Sequence, residues 1–132
     1  MPTRFVTAAE AIPEPFEDRV NRWLCRPGQT EAKDLAVIEA EFAVGQGHGF
    51  HTHPEFEECI YVLSGRIEQW VDRERKVLEA GGLAHIPKGM VHATFNVGST
   101  PARILAILSP GSCKGPGLVD VSQQEPWKSI RG

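Results

Sequence analysis

Residues 45–65 read GQGHGFHTHPEFEECIYVLSG, and the punctuation of this stretch decides the fold. His51 and His53 are separated by one residue, so on a strand both imidazoles project from the same face. Pro54 ends that strand, and a second run starts at Glu58 and stops at Gly65. Within it Glu58, Ile60 and Val62 share one face, while Glu57, Cys59, Tyr61 and Leu63 share the other. Ile60 and Val62 are expected to line a barrel, which would carry Glu58 inward. Because both faces are apolar, Glu57 and Glu55 stay open as competing carboxylates at this point.

The same texture extends outward in both directions. NRWLC, DLAVIEAEFAV, RIEQWV, KVLEAG, LAHIP, VHATFNV and ARILAIL join ECIYVLSG as short runs rich in Val, Ile, Trp and Phe, bounded by glycine or proline. Such runs at this spacing predict an all-β sandwich or barrel. Thr30 to Glu41 is the best helical candidate, but its β-branched centre favours a strand. The first 20 residues hold Pro2, Pro13 and Pro15 and are read as a lead-in arm, 1–20. Residues 21–110 are read as the barrel, and 111–132 as a glycine- and proline-punctuated tail packing on it.

Length and charge narrow the function. A chain of 132 residues makes one domain and buries roughly two-thirds of its unfolded surface, enough for a core without disulfide staples. Fourteen basic residues against 17 acidic, with no Lys/Arg cluster, remove the footprint of a nucleic-acid or membrane-surface binder. The longest apolar run, Ile104 to Leu108, is far short of the ~20 residues that span a bilayer. A cytosolic address and a small-molecule, ion or protein partner are the resulting expectations. Cys25, Cys59 and Cys113 have no metal-ribbon or disulfide spacing and read as small buried hydrophobes, with Cys113 the most exposed.

The histidines carry the chemistry. His51 and His53 offer two nitrogen donors from one face, His92 a third from the segment after PKG, and an acidic residue one hard oxygen. A divalent first-row metal accepts such a set. His48 reads as a solvated loop residue, and His85, between Ala84 and Ile86, as a core residue or a support for a ligand. Gly65, Gly81 and Gly89 fall where strands reverse, Pro87 turns the chain so that His92 points inward, and Asn96 reads as a turn former.

Residues 45–65 fit G-x5-H-x-H-x4-E-x6-G, and GGLAHIPKGMVHATFN, residues 81–96, fits G-x5-P-x-G-x2-H-x3-N. These resemble the two motifs of the cupin superfamily, with every signature position filled and 15 residues between them. The resemblance implies an antiparallel jelly-roll barrel holding a metal through His51, His53, Glu58 and His92. The x4 spacing of its first motif selects Glu58 over its neighbours.

Four ligands on a six-coordinate ion leave two positions open, the mark of a catalytic rather than a sealed site. Mn, Fe, Co, Ni, Cu and Zn all suit this donor set. The expected function is a mononuclear metalloenzyme, an oxidoreductase of the dioxygenase kind or an isomerase or lyase, acting on a small oxygenated molecule. The alternative is a non-catalytic small-molecule or metal-binding module. A homodimer is the expected assembly, with Trp23, Trp70 and Trp127 as candidate interface or cavity aromatics.

Overall fold

Alternation of buried and exposed residues runs through the strands of the structure, a computed structural model describing residues 3–132. After a short 3-10 turn at Ala8–Glu10 come β1 (Ile12–Pro15), β2 (Val20–Cys25), β3 (Ala36–Phe42), β4 (Gly47–Thr52), β5 (Glu57–Ser64) and β6 (Arg66–Val71). Next follow β7 (Glu74–Glu79), β8 (Leu83–Ile86), β9 (His92–Asn96), β10 (Ala102–Ser109), β11 (Val119–Asp120) and a one-turn helix α1 (Trp127–Ile130). One sheet has the order β1-β2-β3-β10-β5-β8, the other β11-β4-β9-β6-β7, and the paired strands are antiparallel throughout. This is an all-β antiparallel jelly roll, and each of the eight runs singled out in the sequence contributes a strand.

Between the sheets, inward residues of β3, β5, β6, β8 and β10 form the main core: Phe42, Ile60, Val62, Ile67, Ile86 and Ile104, all nearly inaccessible. Each such side chain contributes roughly 1.5–3 kcal/mol by leaving water. A second cluster lies on the opposite face of the five-stranded sheet. There Phe50, Trp70 and Ala93 pack with Val121, Trp127 and Ile130 of the C-terminal segment. Arg131 adds an ion pair to the buried Glu68, which also accepts from Trp70 Nε1 at 3.0 Å. Among the described residues no helix is long and apolar enough to cross a membrane.

Three expectations need correction. Ile12–Pro15, assigned to the lead-in arm, pair with Val20–Trp23 as the edge strand of the larger sheet. Pro13 and Pro15 are tolerated there because an edge strand leaves half of its N–H groups unpaired. The three cysteines are half-buried rather than core residues, since Cys59 faces outward on β5 and Cys113 sits in the C-terminal segment. Trp70 and Trp127 belong to the second core cluster, so of the three tryptophans only Trp23 lines the cavity.

Two turn glycines separate backbone freedom from space. Gly65 and Gly81 have φ of 88° and 91°. A Cβ on Gly65 would sit 2.8 Å from Ala102 Cα, whereas one on Gly81 meets nothing within 4 Å. Gly81→Ala should therefore cost only the left-handed penalty of about 1–2 kcal/mol. Gly65→Ala should add about 1–3 kcal/mol of overpacking. Urea unfolding of the two variants checks the order, and equal losses would contradict the close approach at Gly65.

Candidate metal centre

Two neighbouring strands, β4 with the residue just after it and β9, deliver three imidazole rings to one end of the barrel interior. His51 lies near the end of β4, His53 just beyond it, and His92 opens β9 directly opposite His51. Their ring centroids are 4.2 Å (His51–His92), 4.9 Å (His51–His53) and 5.3 Å (His53–His92) apart. One ring nitrogen from each lies within 4.8 Å of the other two, close enough for all three to hold one metal ion. Gly89, at φ 73°, makes the turn into β9, and its carbonyl accepts from Thr52 Oγ1 at 2.6 Å.

The backbone sets the tautomers. His51 Nδ1 lies 2.6 Å from the Gly49 carbonyl, His53 Nδ1 2.8 Å from that of Gly117, and His92 Nδ1 3.1 Å from that of Met90. A carbonyl only accepts, so each Nδ1 carries the proton and each Nε2 turns a lone pair toward the interior. Glu58, inward on β5 as its alternation required, brings Oε1 to 3.0 Å from His92 Nε2 and 3.5 Å from His53 Nε2. Glu57 faces outward, so it leaves the contest between carboxylates, and Glu55 caps Gly115 N at 2.7 Å.

Sequence reading misplaced two histidines. His48, expected in a solvated loop, lies in β4 and stacks on His51 with ring centroids 3.6 Å apart and planes 14° from parallel. Three residues apart, the two rings would face opposite ways on a regular strand, but the β4–β9 register slips between them. Glycines on both sides of His48 permit this. A Cβ on Gly47 would lie 2.4 Å from the Thr94 carbonyl oxygen. His85, expected inside, is on the outer face of β8 and pairs with Glu57 at 2.6 Å, because it is Ala84 and Ile86 that alternate inward. Asn96 does act as a turn organiser, donating to the carbonyls of Phe42 and Thr100.

Burial sets the protonation of the cluster. It pushes His48 down to about 3, with smaller contributions from Arg19, His53 and His92. It also holds His51 well below the ordinary imidazole value, aided by the neighbouring His92 and His48. His53 is lowered by burial against the opposing pull of Glu58. At neutral pH these rings are uncharged, the form that ligates a metal. They open onto a cavity of about 360 Å³ with largely aliphatic and aromatic walls, including Ile38, Phe42, Ile60, Ile104 and Leu108. Trp23 of the N-terminal hairpin, one of the aromatics expected at a cavity or interface, also lines it, as do Arg19, Asn21 and Gly117, which nothing in the sequence had marked.

A family model described as "Cupin domain" matches residues 38–108, more than half of the chain, which therefore belongs to the cupin family. The chain is 33% identical over 114 residues to polyketide synthase CurC of Streptomyces cyaneus, covering 76% of this chain and 73% of that protein. Among solved structures it is similar to KdgF from Halomonas sp., with TM-score 0.73 and 18% identity over 82% of this chain and 94% of that one. It is also similar to a recombinant oxalate oxidase in complex with glycolate, with TM-score 0.60 and 27% identity over 66% of this chain and 46% of that one. The chain spans 32% to 42% of the germin-like relatives it matches.

A pH dependence follows for the metal-free protein. Unfolded histidines take up protons near pH 6.5, whereas His48, His51 and His53 refuse them in the fold until lower pH. Their contribution is complete above about 6.5 and is lost as pH falls, by up to about 1.4 kcal/mol per pH unit for each histidine. The melting temperature of chelator-treated protein should drop from pH 7 to 5, less steeply in His48→Gln. A flat profile would mean that the rings are charged in the folded state.

Proposed function

We propose that this cupin binds one divalent metal through His51, His53, His92 and Glu58. On this reading it acts as a mononuclear metalloenzyme, of the dioxygenase or of the isomerase or lyase kind, on a small oxygenated molecule. The observation that carries the proposal is an electrostatic conflict. Glu58 Oε1 and His92 Nε2 are buried, lie 3.0 Å apart and have no hydrogen-bond partner among the described residues. In the Nδ1–H tautomer that the Met90 carbonyl selects, the His92 Nε2 lone pair faces the Glu58 carboxylate in a low-dielectric interior. A cation between them removes the repulsion. Donors about 2.1 Å from one ion and at right angles lie about 3.0 Å apart, the separation found here.

A bound divalent ion supplies Lewis acidity and, for a redox-active metal, electron transfer. The chain's own residues do the rest. Gly49, Met90 and Gly117 hold the rings in register through their carbonyls. His48 presents a neutral imidazole beside the cluster, a hydrogen-bond partner for a substrate oxygen. Tyr61 and His85, which could also carry protons, face outward, and Lys88 lies outside the cavity wall. The apolar walls exclude water and select an organic body. Similarity to an oxalate oxidase bound to glycolate supports a substrate that chelates through two oxygens. Similarity to a protein named as a polyketide synthase supports a carbonyl-bearing one. The outward Tyr61, Leu83 and Ile107 of the six-stranded sheet support the homodimer, which size-exclusion chromatography tests.

Elemental analysis should find about one divalent ion per chain, lost in folded His51→Ala and His92→Ala. With free metal at 100 times its Kd the ion should add about 2.7 kcal/mol to stability. Glu58→Gln should lose metal far more readily than Glu57→Gln, and equal losses would reject Glu58. Oxygen uptake and product analysis against 1,3-diketones, catechols and flavonols then test turnover. Metal-dependent turnover supports the enzyme reading, whereas chelate binding without conversion supports the binding module.

A further inference from the structure

The wall of the cavity contributed by Arg19 and the strand it leads into, β2, is unlike the others. Arg19, Asn21 and Trp23 alternate along the chain, so their side chains share a face, and all three line the cavity that holds the histidine cluster. Arg19 is the exceptional arginine of the molecule. Its side chain is 11% exposed, whereas the other arginines that make ion pairs are between 36% and 76% exposed. A guanidinium so far from water is costly unless its N–H fork is satisfied. Among the described residues it makes one side-chain hydrogen bond, from Nη1 to Asp18 at 2.8 Å. Its flat face rests on the Phe16 ring, 4.1 Å from the centroid, and Phe16 also lines the cavity. The side chain is thus fixed on two sides with donors to spare. It lines the same cavity as His48 and His53.

Asn21 strengthens the pattern. It is 9% exposed, and its amide makes no side-chain hydrogen bond among the described residues. Glu14, opposite Asn21 in the hairpin, accepts from Trp23 Nε1 at 3.1 Å, and Arg19 is the one arginine or lysine among the described residues lining the cavity. A planar fork of donors beside a neutral amide, both facing an apolar cavity, matches a carboxylate.

We infer that Arg19, with Asn21 beside it, is the anchor for a carboxylate on the substrate, so that the cavity takes a small organic acid. Its charged end would meet β2, its apolar body the aliphatic wall, and its remaining oxygens the histidine cluster. This rests on the proposed function only in placing a metal at that cluster, since the anchor itself needs none. Arg19 is on this account a specificity residue whose removal leaves metal binding intact.

The test compares acids with their uncharged amides: butyrate, 4-methylpentanoate and 3-phenylpropionate against butyramide, 4-methylpentanamide and 3-phenylpropanamide. Binding to the full chain is measured by calorimetry, once with zinc and once after chelator treatment. The acids should bind about 10- to 100-fold tighter than the amides, as a charge-assisted bidentate contact provides. That preference should persist without zinc. It should vanish in Arg19→Gln and shrink in Arg19→Lys, with zinc content unchanged in both and folding checked by circular dichroism. The inference is overturned if acids and amides bind alike or neither binds at millimolar concentration. It is also overturned if the preference survives in Arg19→Gln, or if it disappears with zinc, which would place the carboxylate at the metal. Failure to bind zinc with the preference intact would instead sink the metal reading and leave the anchor standing.

Discussion

Three backbone carbonyls hold this site together. Gly49, Met90 and Gly117 come from β4, the turn before β9 and the C-terminal segment, and each accepts the Nδ1 proton of one histidine. Without those bonds every ring could flip or change tautomer, and the Nε2 lone pairs would not converge. Two of the acceptors lie only two residues from their histidine, so strand geometry supplies them locally. The third crosses 64 residues and ties the tail to His53. The C-terminal segment is therefore part of the site's geometry, and its packing of Val121, Trp127 and Ile130 against Phe50 and Trp70 gives that carbonyl a fixed support.

The electrostatics follow from the same arrangement. Burial disfavours the charged form of His48, His51 and His53, and the buried Glu58 carboxylate oxygen lies 3.0 Å from His92 Nε2. In an apolar interior such a cluster is unfavourable by itself, which is how a site comes to favour a cation. Local order is given up at the centre and recovered in the surrounding core, where Ile67, Val62 and Ile86 pack with almost no exposure. The cavity combines this charge-seeking end with aliphatic walls and Arg19, just before β2, so its polar groups make demands opposite to those of its walls.

How much of this was legible depended on the range of the interactions. Period-two alternation grouped Glu58 with Ile60 and Val62 but left two apolar faces to choose between, and the x4 spacing of the motif singled out Glu58; the pleat of β5 turns that face inward and Glu57 outward. The turn glycines Gly65, Gly81 and Gly89 were legible because positive φ is a local property. His48 was not, since the register slip that turns it inward depends on how β4 pairs with β9. His85 misled because its apolar neighbours signalled a core when they only signalled the opposite face. β1 was hidden by its prolines, which mark a loop in isolation but suit an edge strand. Arg19 and Gly117 carried no signal, because their roles arise from approaches across the barrel mouth.

The central claim is that the inward Nε2 atoms and Glu58 surround a cation. Anomalous diffraction from crystals grown with zinc or manganese, collected on both sides of the metal edge, tests it most directly. The account predicts a single strong peak about 2.0–2.2 Å from Nε2 of His51, His53 and His92 and from Glu58. A peak bonded through Nδ1, a peak elsewhere on the chain, or an empty cluster at saturating metal would contradict it.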